Sequence, residues 1–178
     1  MLTELEVLEL RGTRVTDAGL ENLKGLPILQ GVFLSDTKVS GAGLAHLKRL
    51  TNLQYLDLRG TKVTDAALKN IAGLTNLKYL LLGRTKVTDA GVANLNALTN
   101  LQWLVLSDTK VSDAGLGNLK GMTRMSALEL RDTEVSDTGL ENLKCLPKLQ
   151  SLDLRGTKVS DEGVQKFQQA SPDCKIAR

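Results

Sequence analysis

The sequence predicts an α/β fold, a right-handed solenoid shaped like a horseshoe. We expect a parallel sheet of seven to eight short strands on its concave face and short helices on its convex face. A 24-residue pattern recurs seven times without insertion or deletion, and self-similarity at such a period is typical of solenoids. The first half of each copy alternates outward and inward residues, as a short strand does. The second half starts with a helix-capping residue and continues with apolar residues at helical spacing.

The repeat reads L-x-x-L-x-x-L-x-L-x-x-T-x-V-[ST]-D-x-G-L-x-x-L-x-x. We expect residues 170–178 to form a C-terminal cap with a truncated eighth strand, because a solenoid needs covered ends to stay soluble. No cap is visible before the first copy, so Leu2 and Leu5 are expected to be partly exposed. The start at a core position also suggests a fragment of a longer chain. The repeat domain, residues 2–169, is divided into residues 2–25, 26–49, 50–73, 74–97, 98–121, 122–145 and 146–169.

The elements of one repeat can be derived in order from copy three. Residues 55–58 alternate outward and inward and predict the strand. Thr64 is a favourable helix N-cap, and Asp65 places a negative charge at the positive end of the helix dipole. Leu68 and Ile71 lie three residues apart, so they share the helix face that returns to the core. A right-handed connection then leads to the next strand.

Two positions outside the apolar pattern are also nearly constant among the copies. Threonine at the twelfth position is expected to bond backbone groups in neighbouring turns. Glycine at the eighteenth position lowers helix propensity, so its recurrence indicates that each helix lies too close to a neighbour for a side chain. The threonines are Thr13, Thr37, Thr61, Thr85, Thr109, Thr133 and Thr157, and the glycines are Gly19, Gly43, Gly91, Gly115, Gly139 and Gly163.

Composition argues against several classes of function. The net charge of +3 is too balanced to indicate a nucleic-acid or acidic-membrane partner, and no 18-residue apolar run predicts a membrane span. Cys145 and Cys174 are the only cysteines, too few for a disulfide framework or a zinc site. Together with the absence of an N-x-[ST] sequence, they favour a reduced, cytoplasmic setting. We expect no cofactor, no metal and no catalytic group, because no nucleophile–base pair or carboxylate dyad stands outside the repeat pattern.

The L-x-x-L-x-L half, repeated seven times, resembles the leucine-rich repeat family over nearly the whole chain. The 24-residue length and the V-[ST]-D-x-G-L-x-x-L half are similar to bacterial repeats of the ribonuclease-inhibitor-like and GALA-like type. Threonine stands where the family usually has asparagine or cysteine after the strand, and the family's cysteine-rich caps are absent. The resemblance implies that the sixth, eighth and tenth positions of each copy lie on the concave face of the sheet.

These three positions vary between copies, and they hold four of the five aromatic residues. We therefore predict that the concave face binds a protein or peptide partner, with Tyr79 and Trp103 as central anchors. Aromatic residues and arginine are typical hot spots of protein interfaces. The alternative is that large side chains simply stack across the sheet for stability. The candidate binding residues are Phe33, Tyr55, Asp57, Arg59, Tyr79, Leu81, Trp103, Val105, Glu129 and Arg131.

The eighth and tenth positions change together. Where the eighth residue is acidic the tenth is arginine, and residues two apart on a strand share a face, so each couple is expected to form an ion pair. Where the eighth residue is apolar, the tenth is small. The predicted pairs are Glu9 with Arg11, Asp57 with Arg59, Glu129 with Arg131, and Asp153 with Arg155.

A basic column at the thirteenth position provides a weaker candidate, a polyanion or nucleic-acid site. It comprises Arg14, Lys38, Lys62, Lys86, Lys110 and Lys158, with Glu134 interrupting it. The aspartates three residues further on are expected to neutralise it, which favours a solvated charged edge. His46 is expected to be a surface residue. Gly41-Ala42-Gly43 is similar to a phosphate loop but lacks the preceding strand-and-glycine context. Cys145 and Cys174 are expected to be free thiols in adjacent coils.

The sequence thus predicts a non-enzymatic protein-interaction scaffold. Three alternatives remain open: a structural spacer in a larger surface or effector protein, a weak polyanion binder, and self-association through the first repeat or the aromatic patch.

Overall fold

A computed structural model describes residues 4–178, and Leu2 lies outside the described residues. Eight strands form one open parallel sheet in chain order. Neighbouring strands pair residues that are 24 apart in the sequence, as Tyr55 pairs with Tyr79, which confirms the predicted fold class. The strands are β1 Val7–Glu9, β2 Gly31–Phe33, β3 Tyr55–Asp57, β4 Tyr79–Leu81, β5 Trp103–Val105, β6 Ala127–Glu129, β7 Ser151–Asp153 and β8 Lys175–Ala177.

The helices are short and begin one residue after the predicted N-cap. Six of them have four to seven residues, and only the last reaches ten. They are α1 Asp17–Leu20, α2 Gly41–Leu44, α3 Asp65–Leu68, α4 Asp89–Ala93, α5 Asp113–Leu116, α6 Asp137–Leu143 and α7 Asp161–Ala170. Two 3₁₀ segments, Glu21–Gly25 and Gly117–Leu119, directly follow α1 and α5.

The core is a continuous strip of aliphatic side chains between the sheet and the helices. Leu56, Leu58, Val63, Leu68 and Ile71 of repeat three are fully buried, and burying each such side chain contributes roughly 1.5–3 kcal/mol. At the N-terminal end the strip is more open, as expected. Leu5, Leu8, Leu10, Val15 and Leu26 are only partly buried there.

The threonine column closes a turn inside each repeat. Thr61 Oγ1 donates to the carbonyl of Leu58 at 2.6 Å, and all seven threonines make this bond to the residue three positions earlier. The predicted bond to a neighbouring turn is therefore wrong. The hydroxyl instead donates to a carbonyl of its own repeat, at the point where the chain turns away from the sheet.

The aspartate that begins most helices ties its repeat to the next one. Asp65 Oδ1 accepts from the backbone N–H of Thr88 at 2.7 Å, and Oδ2 accepts from the Thr88 hydroxyl at 2.7 Å. The carboxylate thus does more than favour its own helix dipole. The same pair of hydrogen bonds joins Asp17 to Ser40, Asp89 to Ser112, Asp113 to Ser136, and Asp137 to Ser160.

Candidate functional site

An aromatic row crosses four neighbouring strands of the concave face. Phe33 occupies the eighth position of its repeat, whereas Tyr55, Tyr79 and Trp103 occupy the sixth. The ring of Phe33 joins the row because it leans over Gly31, where an added Cβ would lie 3.3 Å from Phe33 Cε2. Gly31 therefore leaves the space through which Phe33 reaches its neighbour. We call Phe33, Tyr55, Tyr79 and Trp103 the aromatic row.

Three rings of the aromatic row, those of Phe33, Tyr55 and Tyr79, pack on one another along the sheet. The centroids of Phe33 and Tyr55 are 4.6 Å apart with the rings tilted by 33°. Those of Tyr55 and Tyr79 are 5.3 Å apart in a stacked arrangement. Partial burial, followed by the charge of Asp57, raises the pKa of the Tyr55 hydroxyl. Stacking covers the ring faces but leaves the half-buried rings partly accessible. This packing restricts the rotamers of the side chains that it joins.

Trp103 is held by the strand next to it. Its Nε1–H donates to Glu129 Oε1 at 3.1 Å, from β5 to β6. Arg131 contacts its own neighbour instead, and Arg131 Nε donates to Asp132 Oδ2 at 2.9 Å. The predicted pair of Glu129 with Arg131 is therefore wrong. Glu129 instead fixes the indole at the end of the aromatic row.

Three of the candidate binding residues have almost no accessible surface. Leu81 is 1% exposed, Val105 is 4% exposed and Asp57 is fully buried. Leu81 and Val105 form an apolar floor beside the aromatic row rather than anchors that project from it. The remaining candidates are half-buried or exposed: the aromatic row, Arg59, Glu129 and Arg131.

Asp57 is the centre of an ion-pair cluster on β3. Arg59 donates to it through Nε at 2.9 Å and through Nη2 at 2.7 Å, as predicted. This hydrogen bonding raises the pKa of the Arg59 guanidinium. Arg11 also reaches Asp57, at 3.5 Å, and its guanidinium lies 4.3 Å from the Phe33 ring centroid. Arg11, in the turn after β1, thus extends across Phe33 and covers one end of the aromatic row.

The two outer predicted pairs also form. Glu9 and Arg11 are 3.5 Å apart, and Asp153 and Arg155 approach to 2.6 Å. The hydrogen bonds from Arg155 lower the pKa of the Asp153 carboxyl. Charged groups of both signs therefore stand at both ends of the apolar centre.

Sequence reasoning missed the rim of this face, at the eleventh position of each repeat. All seven residues there have positive φ angles. Arg84 at this position pairs with Asp36, two repeats away, at 3.1 Å. The bridge passes over Gly60, where a side chain would overlap the Asp36 carboxylate. Six of these seven positions hold glycine or aspartate, and both tolerate the left-handed region better than most residues. This pattern could have predicted the positive φ angles from the sequence.

The remaining sequence candidates lie apart from the concave face. Cys145 is exposed and Cys174 is buried, and both are free thiols; burial raises the pKa of Cys174. His46 is half-buried behind α2. Within residues 4–178, no cluster of three or more His, Cys, Asp or Glu side chains could hold a metal ion. No helix in that range is long and apolar enough to cross a membrane.

The family model of the leucine-rich repeat region matches residues 3–175. Among solved structures, the chain is similar to internalin F from Listeria monocytogenes, with 22% identity and a TM-score of 0.84 over 99% of this chain and 48% of that one. Internalin C2 from the same organism has 24% identity and a TM-score of 0.71 over 99% of this chain and 81% of that one.

A leucine-rich repeat protein from Leptospira interrogans has 21% identity and a TM-score of 0.72, over 99% of this chain and 50% of that one. The chain therefore spans about half the length of this protein and of internalin F. No curated protein matches the sequence significantly. At these identities the structural likenesses show a shared fold.

Proposed function

Because this chain belongs to the leucine-rich repeat family, whose members commonly serve as protein-interaction scaffolds, we propose that it is a non-enzymatic scaffold that binds a protein or peptide on its concave face. The aromatic row is the observation that carries the proposal. Four partly exposed rings lie on adjacent strands, and three of them pack on one another. Apolar strips of this kind on protein surfaces mark interaction sites.

The residues of the concave face have different roles in the proposed binding of a partner. Tyr79 and Trp103 are the central anchors, and Tyr55 and Phe33 extend the strip toward Arg11. Arg59, Glu129 and Arg131 orient the partner from the two sides. Leu81, Val105 and Asp57 support these side chains from below. This arrangement matches the usual anatomy of interfaces, an aromatic centre within a charged rim.

Binding of selected peptides would test the proposal. Peptides are selected from a random library on the immobilised chain, and dissociation constants are then compared for the variants. We expect Tyr79→Ala/Trp103→Ala to weaken binding by about a hundredfold or more, as hot-spot truncations do. Trp103 is the single tryptophan, so its emission should change when a peptide binds to the wild-type chain.

The matched control is Val7→Ala. Val7 occupies the same sixth position and is 51% exposed, but it lies outside the aromatic row. It should leave affinity within about twofold, because surface truncations away from hot spots are nearly neutral. If the double variant binds the selected peptides as tightly as the wild type, the proposal fails. If that variant loses only unfolding free energy, the aromatic row serves stability alone.

A further inference from the structure

A second ordered set of side chains lies at the edge of the sheet, three residues beyond the tenth position of each repeat. We call Arg14, Lys38, Lys62, Lys86 and Lys110 the basic row, and all five are exposed. The backbone N–H of each lysine donates to the valine carbonyl of the preceding repeat at 3.0–3.2 Å. Successive members are therefore held at the spacing of neighbouring strands, and five of them extend over about 19 Å.

The charges of the basic row form no ion pair with any other residue in the described range, 4–178. None of the ion pairs found in residues 4–178 involves its five members. The aspartates expected to neutralise them form hydrogen bonds to other residues. Both carboxylate oxygens of Asp65 and of Asp89 accept hydrogen bonds from the N-cap residue of the next helix. Beside Lys38 the aspartate is replaced by Gly41. Five exposed cations thus stand in line without a direct partner among the described residues.

Carboxylates on both sides limit the width of any ligand. Asp36 and Asp108 lie two residues before members of the basic row and are exposed. Asp65 and Asp89 lie three residues after members of the row and are half-buried. A broad polyanion such as a nucleic-acid duplex would cover these carboxylates as well as the cations, and like charges would then repel it. A narrow chain can contact the basic row alone.

The chemistry around the basic row narrows the class of ligand further. The two residues after each member of the row are a valine, buried in four of the five copies, and the serine or threonine of the helix cap. Neither offers a ring on which the bases of a single-stranded nucleic acid could stack. The lysine N–H groups already have partners, which prevents a peptide strand from bonding to them. What remains is a line of rotatable, hydrated ammonium donors, suited to tetrahedral oxyanions.

We propose that the basic row binds a sulfated polysaccharide, a narrow and flexible chain that carries sulfate groups along its length. The site is separate from the aromatic row and lies on the edge of the sheet. It ends at Glu134, which occupies the next position of the column and approaches Lys158 at 3.8 Å.

A heparin-derived octasaccharide is the probe, and its affinity is measured by calorimetry across a range of salt concentrations. Lys62→Glu/Lys86→Glu should weaken binding by about tenfold or more near physiological salt and reduce the salt dependence, since fewer counterions are released. The matched control is Lys158→Glu, at the same position but beyond Glu134, which should change affinity less than about twofold. Glu134→Lys joins the row to Lys158 and should tighten binding about threefold or more.

The proposal is overturned if Lys62→Glu/Lys86→Glu binds the octasaccharide as tightly as the wild type, or if Lys158→Glu loses as much affinity. It is also overturned if duplex DNA or an acidic peptide binds more tightly than the octasaccharide with the same sensitivity to these variants. All four substituted positions are exposed, so the circular dichroism spectra should be unchanged. Binding of peptides selected on the concave face should also persist, because the two sites are distinct.

Discussion

The carboxylate of Asp65 occupies the space that a side chain at Gly91 would need. An added Cβ at Gly91 would overlap Asp65 Oδ1, the oxygen that accepts the N–H of Thr88. The same relation holds between each helix glycine and the aspartate of the preceding repeat at Gly43, Gly115, Gly139 and Gly163. The predicted close approach at these glycines is thus to a side chain of the preceding repeat. In repeat two the aspartate is replaced by Gly41, and there the following repeat has Ala67 in place of glycine.

We expect Gly41→Asp and Ala67→Gly to be energetically coupled. An added Cβ at Gly41 would already lie 3.1 Å from the Ala67 Cβ, so Gly41→Asp alone crowds that methyl group. With Ala67→Gly, the new carboxylate can accept from Thr64 as Asp65 does from Thr88. Urea unfolding of the four proteins should give a favourable coupling energy of about 1–2 kcal/mol. Additive changes in unfolding free energy would contradict this interpretation.

Asp137 should make stability depend on acid pH. The hydroxyl and the backbone N–H of Ser160 lower the pKa of its carboxyl. A carboxyl with a lowered folded-state pKa contributes stability above its unfolded pKa of about 3.9, and the contribution is lost as pH falls through the folded value. The advantage of the wild type over Asp137→Asn should therefore shrink from pH 4 downward.

Carbon NMR of the Asp137 carboxyl provides an independent check. Ser160→Ala removes the hydroxyl donor, so the titration of Asp137 should move to higher pH. An unchanged titration in Ser160→Ala would show that this hydrogen bond does not control the carboxyl.

Arg84 should be a site where glycine stabilises the fold. Its φ of 55° lies in the left-handed region, which costs a residue with a Cβ about 1 kcal/mol relative to glycine. The exposed salt bridge to Asp36 contributes little stability, so it does not offset this strain energy. Arg84→Gly is therefore expected to raise the melting temperature.

Gly60→Ala provides the opposite test at the same position of the preceding repeat. Its φ is 66°, and a Cβ there would overlap the Asp36 carboxylate. We expect a lower melting temperature. Equal melting temperatures for wild type, Arg84→Gly and Gly60→Ala would contradict the assignment of strain to this rim.

Asp57 and Asp153 form similar pairs with arginine but should differ in their importance for stability. The side chain of Asp57 is fully buried and that of Asp153 is 14% exposed. Asp57→Ala leaves Arg59 and Arg11 without their shared acceptor and should cost about 2–4 kcal/mol of unfolding free energy. Asp153 lies near the C-terminal end of the sheet, where water can replace its carboxylate. Asp153→Ala should therefore reduce the unfolding free energy clearly less than Asp57→Ala does. Chemical denaturation of both variants checks the order, and equal losses would contradict it.

The sequence predicted the concave face well where the geometry is local. Glu9 pairs with Arg11 and Asp57 with Arg59 because residues two apart on a strand share a face. It failed at Arg131, which bonds to the adjacent Asp132, while the expected acceptor Glu129 bonds to Trp103 of the preceding repeat. It placed Phe33 on one surface with Tyr55, Tyr79 and Trp103, but it did not show that the missing side chain of Gly31 leaves the space for the Phe33 ring.

The resemblance to leucine-rich repeats indicated which positions lie on the concave face, whereas the sequence by itself determined the repeat, the strand and helix positions and the inward apolar residues. These follow from periods of two and about 3.6 residues within a single copy, which local sterics translate into structure. Only the tertiary structure decided which side chains meet between copies: Asp65 with Thr88, Trp103 with Glu129, and Arg84 with Asp36 across Gly60. Those contacts join residues about one or two repeats apart. They depend on the space and the donors left free after stacking, which no single copy of the repeat contains.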